Sequence, residues 1–431
     1  MAMTQLIQIS VQTVDVLMIG RLGAAPLAAA SLGVVMFFAV FLIGLGPAMA
    51  ISPLVAQAQG RDPDDVVDVR RSVRMGLWTT LCIFPFALVL FFNAGGIARA
   101  LGQEAELAAM AGPYVIALAP GLPFILGILI LRNFLAAINK TRWPLAIIAS
   151  TTVINAGLNY LLIYGAFGFP RLELVGAGIA SSLAHAAGFF MLVAYIRADP
   201  AARRFALFAD VFKSDWPRFR EVVALGWPIG VTIAFEAMLF NACVFVMGRI
   251  GVDEVAAYQV ALNVAALAFM VPFGLSMAGG VRVGLAAGAG DREGVARAAL
   301  VTLVVCAVSI LVFAVPMMLM PAGVAALYLD ADDPANARVL ALVASFLPIA
   351  AAFALFDATQ VAANQCLRGL KDVRWPMILT GISYWVVGFP LAAYLGLATE
   401  AGAVGVWWGL LASLACASLT LGGRLYLLAR A

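Results

Sequence analysis

The stretch "MIGRLG" at residues 18–23 recurs as "VMGRIG" at residues 246–251, an offset of 228 positions. Further along the chain, "NKTRWP" (139–144) recurs as "KDVRWP" (371–376) at an offset of 232. The repeated segments follow each other in the same order in both halves of the chain. The sequence therefore predicts two copies of one structural unit in parallel order.

The composition indicates what surrounds these copies. Hydrophobic residues make up 64% of the 431 residues, charged residues 11%, and the mean hydropathy is +1.03. Such a chain has too few polar groups to cover a soluble protein, so it is expected in a lipid bilayer. A bilayer-crossing helix needs about 20 mostly apolar residues. On that length we predict an all-α integral membrane protein with twelve spans, at 1–20, 31–57, 72–93, 111–138, 143–165, 174–197, 222–248, 254–281, 294–320, 337–367, 374–396 and 403–428.

The distribution of basic residues predicts the orientation of these spans. With the N-terminus in the cytoplasm, 21 of the 26 Lys and Arg residues fall on the inner side. Positive charge in short loops favours the cytoplasm, so both termini are expected there, in a bacterial cytoplasmic (inner) membrane. We predict an N-terminal six-helix lobe at 1–200, a cytoplasmic linker at 201–221 and a C-terminal six-helix lobe at 222–431.

The repeat also bears on the first span. The second copy enters its first span through Gly226, Trp227 and Pro228, and the equivalent positions in the first copy precede Met1. Either the first helix is short or further residues precede this start.

Cysteine and histidine give no sign of a metal or redox site. The cysteines are scattered singly through apolar segments without a CxxC pair, and His185 is the only histidine. An integral-membrane enzyme would need a nucleophile, a metal cluster or paired acids at a defined spacing, so an enzyme and a bound cofactor are not expected. The chain is expected to be surrounded by membrane lipid, and a nucleic-acid partner is not expected. No clean apolar span carries a GxxxG motif that would call for an oligomer, so a monomer is expected.

Three acidic residues lie inside predicted spans, namely Asp15, Glu236 and Asp357. A charged aspartate at the centre of a membrane helix costs about 2.5–3.5 kcal/mol, so these acids call for a function. A carboxylate held away from water responds sharply to a proton or small cation, which makes the three acids candidate cation-coupling sites.

Polar residues three or four positions apart share a helix face with these acids. Such stripes should face a wet cavity or a partner helix, since lipid would leave them unsatisfied. Helix-to-helix hydrogen bonding is the alternative interpretation for the amides. Arg368, at the end of the stripe below Asp357, is interpreted as snorkelling to the inner surface, with a role in the cavity as the alternative. The stripe of the first span also holds Gln5 and Gln8, and the predicted cavity-lining residues are Gln12, Asn155, Asn159, Thr232, Gln259, Asn263, Gln360, Asn364 and Tyr384.

Several segments resemble the multidrug and toxic compound extrusion family in its NorM-like branch. They are "VDVLMIGRLG" (14–23), "PLVAQAQG" (53–60), "NAGLNYLLIYG" (155–165), "AYQVALNVAALAFMVPFGLSMAGGVRVG" (257–284) and "DATQVAANQCLRGLKD" (357–372). The resemblance implies two pseudo-symmetric six-helix lobes that form a V-shaped central cavity. It also implies export of cationic or amphipathic compounds in exchange for Na⁺ or H⁺ by alternating access.

The same resemblance implies roles for individual residues. Glu236 and Asp357 would form the cation site of the C-terminal lobe and are the candidate Na⁺ ligands. Asp15, with Asn155 and Asn159, would be the acidic centre of the N-terminal lobe. Some relatives carry a tyrosine one turn before the acid that corresponds to Asp357. This chain has Phe353 there and therefore lacks a hydroxyl ligand.

Two other functions remain open at this point. A flippase for a lipid-linked oligosaccharide, from the same superfamily, should show cationic residues for phosphate groups, whereas the buried charges here are acidic. An ion channel would show ion flow that continues when substrate is withheld.

Overall fold

The computed structural model describes residues 15–330 and 333–430, and these residues form helices and short connections with no β-strand. Residues 15–20 are helical and lead to the first complete helix. The long helices are α1 (Ala24–Arg61), α2 (Val66–Phe92), α3 (Ala105–Leu118), α4 (Gly121–Ala137), α5 (Arg142–Tyr164), α6 (Glu173–Ala198), α7 (Trp216–Ile250), α8 (Val252–Gly288), α9 (Arg292–Leu319), α10 (Ala337–Gly369), α11 (Arg374–Leu397) and α12 (Gly402–Arg430). Short helical segments lie between them at Ala94–Ala100, Ala166–Gly168, Pro200–Arg203, Pro321–Ala325 and Pro334–Asn336.

These helices confirm the predicted all-helical membrane fold. Among the described residues, ten helices are long and apolar enough to cross a membrane, and α3 with α4 forms an eleventh span that bends by 47°. They coincide with the predicted spans from 31–57 onward. Of the predicted span 1–20, residues 1–14 lie outside the described residues. Helices α1 and α8, with 38 and 37 residues, exceed the roughly 20 residues that a bilayer requires.

Local sequence explains where several helices begin and end. The Asp65 side chain accepts a hydrogen bond of 3.0 Å from the Asp68 backbone N–H at the start of α2. Asp291 caps α9 in the same way, with 2.8 Å to the N–H of Gly294. Each cap satisfies one of the N–H groups that a helix start leaves without a partner. At the end of α5, Gly165 adopts a left-handed conformation with φ of 71°, which glycine accepts without steric cost.

The contacts of the described residues divide the chain into two compact units, 15–230 and 231–430 without 331–332. In the first unit, α1 crosses the start of α7 at Gly46 and Gly226. A Cβ atom on Gly226 would lie 2.5 Å from the backbone nitrogen of Pro47. Glycine at this crossing therefore allows the two backbones to touch.

The segment between α6 and α7 is packed against α2 within the first unit. The Trp78 indole donates a hydrogen bond of 2.7 Å to the Val211 carbonyl, and Arg70 Nε donates one of 2.9 Å to the Phe205 carbonyl. Arg71 of α2 also forms an ion pair with Asp215. The predicted linker is thus held on one unit by side chains of α2.

The second unit has an aromatic core. The Trp407 ring of α12 lies 5.6 Å from the Tyr258 ring, 5.7 Å from the Phe353 ring and 6.1 Å from the Phe346 ring, measured between centroids. All four side chains are buried. Helix α10, which carries two of them, is therefore anchored in the middle of this unit.

The internal repeat is visible in the packing of each unit. In the first unit, Gly176 of α6 lies against the carbonyl of Leu162 on α5. In the second, Gly405 of α12 lies against the carbonyl of Leu395 on α11, where a Cβ would be 2.6 Å from that oxygen. The same pair of successive helices thus makes the same close approach in both units.

Candidate functional site

The first unit brings Asp15 together with both predicted asparagines. Asn159 Nδ2 donates to Asp15 Oδ1 at 2.5 Å and to Asn155 Oδ1 at 3.2 Å. Asn155 Nδ2 in turn donates to Ser181 Oγ on α6 at 3.3 Å. Asp15 is partly buried, and both asparagines are buried. A chain of amide side chains on α5 therefore presents a donor to the carboxylate.

Helix α5 also holds the backbone next to this acid. The Tyr164 hydroxyl donates a hydrogen bond of 2.8 Å to the Met18 carbonyl. Tyr114 of α3 lies within electrostatic range of Asp15. Two residues of this centre, Ser181 and Tyr114, were not predicted from the sequence, because neither belongs to a polar stripe or to a segment that resembles the family. The stripe residues Gln5, Gln8 and Gln12 lie outside the described residues.

The second unit brings Glu236 of α7 and Asp357 of α10 within electrostatic range of each other. Asp357 is buried, with 6% of its surface exposed, whereas Glu236 is partly accessible. The Oδ1 atom of Asp357 has no hydrogen-bond partner in the described part of the chain. Two acids within electrostatic range of each other in a low dielectric favour a bound cation or proton over two free charges.

The polar stripe of α10 is buried. Gln360 and Asn364 are 1% and 4% exposed. The Gln360 Oε1 atom has no hydrogen-bond partner in the described part of the chain, and Asn364 Oδ1 accepts a hydrogen bond of 3.2 Å from Arg368 Nε. Thr232, one turn before Glu236 on α7, is also buried.

The interpretation of Arg368 as a snorkelling side chain is wrong. Arg368 is only 7% exposed and lies within electrostatic range of Glu236. Its hydrogen bond to Asn364 and the nearby carboxylate offset the cost of burying a guanidinium group. The sequence placed Arg368 near a helix end, where snorkelling is the usual outcome, and the partner on α7 could not be read from that position.

The remaining predicted cavity residues differ in exposure. Gln259 and Asn263 lie one turn apart on α8 and are both exposed, and Asn263 Oδ1 accepts a hydrogen bond of 3.0 Å from Tyr328. Tyr384 of α11 is fully buried and lies within electrostatic range of both Glu236 and Asp357. Tyr384 thus lies near Glu236 and Asp357, whereas the α8 pair lies on the surface of the protein.

Among residues 15–330 and 333–430, no three His, Cys, Asp or Glu side chains converge in an arrangement that could hold a metal ion. A cation at Glu236 and Asp357 would need neutral oxygen atoms to complete its coordination, since hard cations take several oxygen ligands.

Comparison with known proteins places the chain in a family. A family profile described as MatE matches residues 1–161 and 228–394, once in each half of the chain. The "Probable multidrug resistance protein NorM" of Rhizobium meliloti (strain 1021) is 44% identical over 434 residues, which cover 99% of this chain and 91% of that protein. The protein of the same name from Mesorhizobium japonicum is 40% identical over 416 residues, covering 96% and 89%.

Solved structures agree on the fold. The structure described as the outward-facing conformation of a multidrug resistance MATE family transporter of the MOP superfamily has a TM-score of 0.88. Its sequence is 18% identical, and the match covers 100% of this chain and 94% of that one. From the family profile and the identity to its relatives, the chain belongs to the MatE family of multi-pass membrane transporters, the family that its motifs resemble.

Proposed function

We propose that the protein is a secondary active multidrug efflux transporter, which exports cationic or amphipathic small molecules in exchange for Na⁺ or H⁺. The observation that carries this proposal is the buried Asp357, whose Oδ1 atom has no hydrogen-bond partner among the described residues and which lies within electrostatic range of Glu236. The relatives named as multidrug resistance proteins support the efflux of drug-like compounds.

The two acids on α7 and α10 act as the coupling site of the C-terminal lobe. A cation that binds there changes the net charge of the site, and it biases the access states only through its differential affinity for them. The buried Thr232, Gln360 and Asn364 extend the polar surface next to this site.

Asp15 acts as the corresponding site of the N-terminal lobe. The donor of Asn159 favours the charged carboxylate, whereas burial disfavours it, so that binding of a cation changes this balance. The alternation between access states then couples ion entry to drug exit. Because such coupling is reciprocal, bound substrate weakens ion binding by the factor by which the ion weakens substrate binding.

The protein works as a monomer in the bacterial inner membrane, with both termini in the cytoplasm. The excess of Lys and Arg on one side of the predicted spans supports this orientation. Cysteine labelling of single introduced positions near each terminus, in intact cells and in everted vesicles, tests it.

The function is tested by gradient-driven efflux of a fluorescent cationic dye in everted vesicles and in proteoliposomes. Na⁺ and pH gradients are imposed separately. We expect Glu236→Gln and Asp357→Asn to lower gradient-driven transport at least about tenfold. A tenfold factor corresponds to a free energy within the usual range for coupling between two sites. Both substitutions remove a charge and preserve the shape of the side chain.

Glu254→Gln is the matched control. Glu254 is a buried acid of the same unit, but its carboxylate forms an ion pair of 2.9 Å with Arg338. Transport by this variant should stay close to that of the unmodified protein. Full gradient-driven transport by both Glu236→Gln and Asp357→Asn would remove these acids from the coupling role. Ion flow without substrate would indicate a channel instead.

A further inference from the structure

Helix α11 is not a regular α-helix near Glu236 and Asp357. Residues Ile382–Gly388 form a π-helix between the α-helical segments Arg374–Gly381 and Phe389–Leu397. Such wide turns are rare and frequently occur at functional sites. Tyr384 lies in this π-helical turn and is fully buried.

The Tyr384 hydroxyl has no hydrogen-bond partner in the described part of the chain. Buried tyrosine hydroxyls usually find a partner, because burial without one costs free energy. Tyr258, an equally buried tyrosine of the same unit, shows the usual arrangement, since its hydroxyl donates to the Phe240 carbonyl at 3.1 Å. The Tyr384 hydroxyl is thus an exception that calls for a ligand.

Two further oxygen atoms on α10, Asp357 Oδ1 and Gln360 Oε1, also lack a partner within residues 15–330 and 333–430. A separation of three residues puts these side chains on one face of the helix. Together with the Tyr384 hydroxyl, they make three buried oxygens that no donor of the described residues satisfies.

Packing brings α11 close to α7 next to Glu236. A Cβ on Gly381, one turn before Tyr384, would lie 3.0 Å from the ring of Phe235, which is the neighbour of Glu236. Tyr384 and Phe353 belong to the same buried cluster, and Phe353 stands one turn before Asp357. The Tyr384 hydroxyl also lies within electrostatic range of both carboxylates.

The chemistry of this group distinguishes a metal cation from a proton. A proton needs one acceptor, whereas a hard cation takes several oxygen ligands. We propose that the Tyr384 hydroxyl and Gln360 Oε1 are neutral ligands for Na⁺ bound between Glu236 and Asp357. Tyr384 thereby supplies, from α11, the hydroxyl that Phe353 cannot supply from α10. This inference rests on the proposed function, because it assigns ligands to the coupling site.

The test measures Na⁺ binding by the purified protein in detergent. The apparent melting temperature is recorded as NaCl replaces KCl at constant ionic strength, because a ligand of the folded state raises this temperature. For Tyr384→Phe, which removes only the hydroxyl, the Na⁺ concentration of half-maximal stabilisation should rise about tenfold, equivalent to about 1.4 kcal/mol. Its melting temperature in KCl alone reports any purely structural effect.

Tyr258→Phe is the control, since it removes a satisfied hydroxyl from a buried tyrosine of the same unit, and its Na⁺ midpoint should not change. Gln360→Met, which keeps the side-chain length, should raise the midpoint in the same way as Tyr384→Phe. It also serves as the test if the Tyr384→Phe protein does not fold.

Each outcome separates the inference from the proposed function. A Na⁺ midpoint for Tyr384→Phe or Gln360→Met equal to that of the unmodified protein overturns the inference. Absence of any Na⁺ effect on the unmodified protein also overturns it, while leaving a proton-driven antiporter intact. If Glu236→Gln and Asp357→Asn keep the full Na⁺ effect, the coupling site of the proposed function is itself wrong.

Discussion

Substitution of Gly226 by alanine should destabilise the first unit, because α1 and α7 touch there through their backbones. A Cβ at this position would lie 2.5 Å from Pro47 N and 2.9 Å from the carbonyl carbon of Gly46. Both distances are far below an ordinary van der Waals contact. The clashing atoms are backbone atoms, so no side-chain rotation can relieve the contact, and the helices must move apart.

The expected magnitude follows from two opposing effects. Overpacking a tight contact costs about 1–3 kcal/mol, and a backbone contact belongs at the upper end of that range. Replacing a helical glycine by alanine returns up to about 1 kcal/mol through helix propensity. Gly226→Ala should therefore lose about 2 kcal/mol or more of folding free energy.

Gly157→Ala is the matched control in the same unit. A Cβ on Gly157, in the middle of α5, meets no atom within 4 Å, so only the gain in helix propensity remains. Both variants are heated in detergent at one scan rate, because membrane proteins commonly unfold irreversibly, and folded protein is measured by size-exclusion chromatography. We expect the apparent melting temperature of Gly226→Ala to be lower than that of Gly157→Ala by about 5 °C or more. Equal melting temperatures of the two variants would refute the backbone contact.

Two further predictions concern the first unit. Asn159→Ala removes the donor to Asp15 and should lower dye efflux about tenfold in proteoliposomes. Asn93→Ala changes an exposed amide and should leave dye efflux unchanged. Equal efflux by the two variants would exclude a role for the Asn159 amide. Asp215→Asn should release the segment between α6 and α7 and speed its cleavage by trypsin, because it removes the ion pair with Arg71. The Arg71 guanidinium lowers the pKa of Asp215, so the pair stabilises the docked segment at neutral pH and stops doing so as the pH falls through that lowered pKa. Cleavage by pepsin at decreasing pH measures this loss, and a segment equally resistant in the Asp215→Asn protein would contradict the prediction.

Hydropathy and spacing were sufficient to predict the spans and the residues that share a face. Most spans contain a mainly apolar run of at least the roughly 20 residues that a bilayer requires, and such a run is recognised without knowledge of distant parts of the chain. Likewise, Asn155 and Asn159 stand on one face because four residues make about one helical turn. The internal repeat was predicted from short similar segments, and the close glycine contacts at Gly176 and Gly405 show it in the packing.

The partners of these residues on other helices were decided by the tertiary structure alone. Asn159 contacts Asp15, Arg368 approaches Glu236, and Tyr384 lies in a π-helical turn beside the acids. Helical periodicity states which residues share a face, but it does not state which faces meet. That choice depends on side-chain packing over a whole unit, where tight contacts such as Gly226 on Pro47 determine how closely two helices approach.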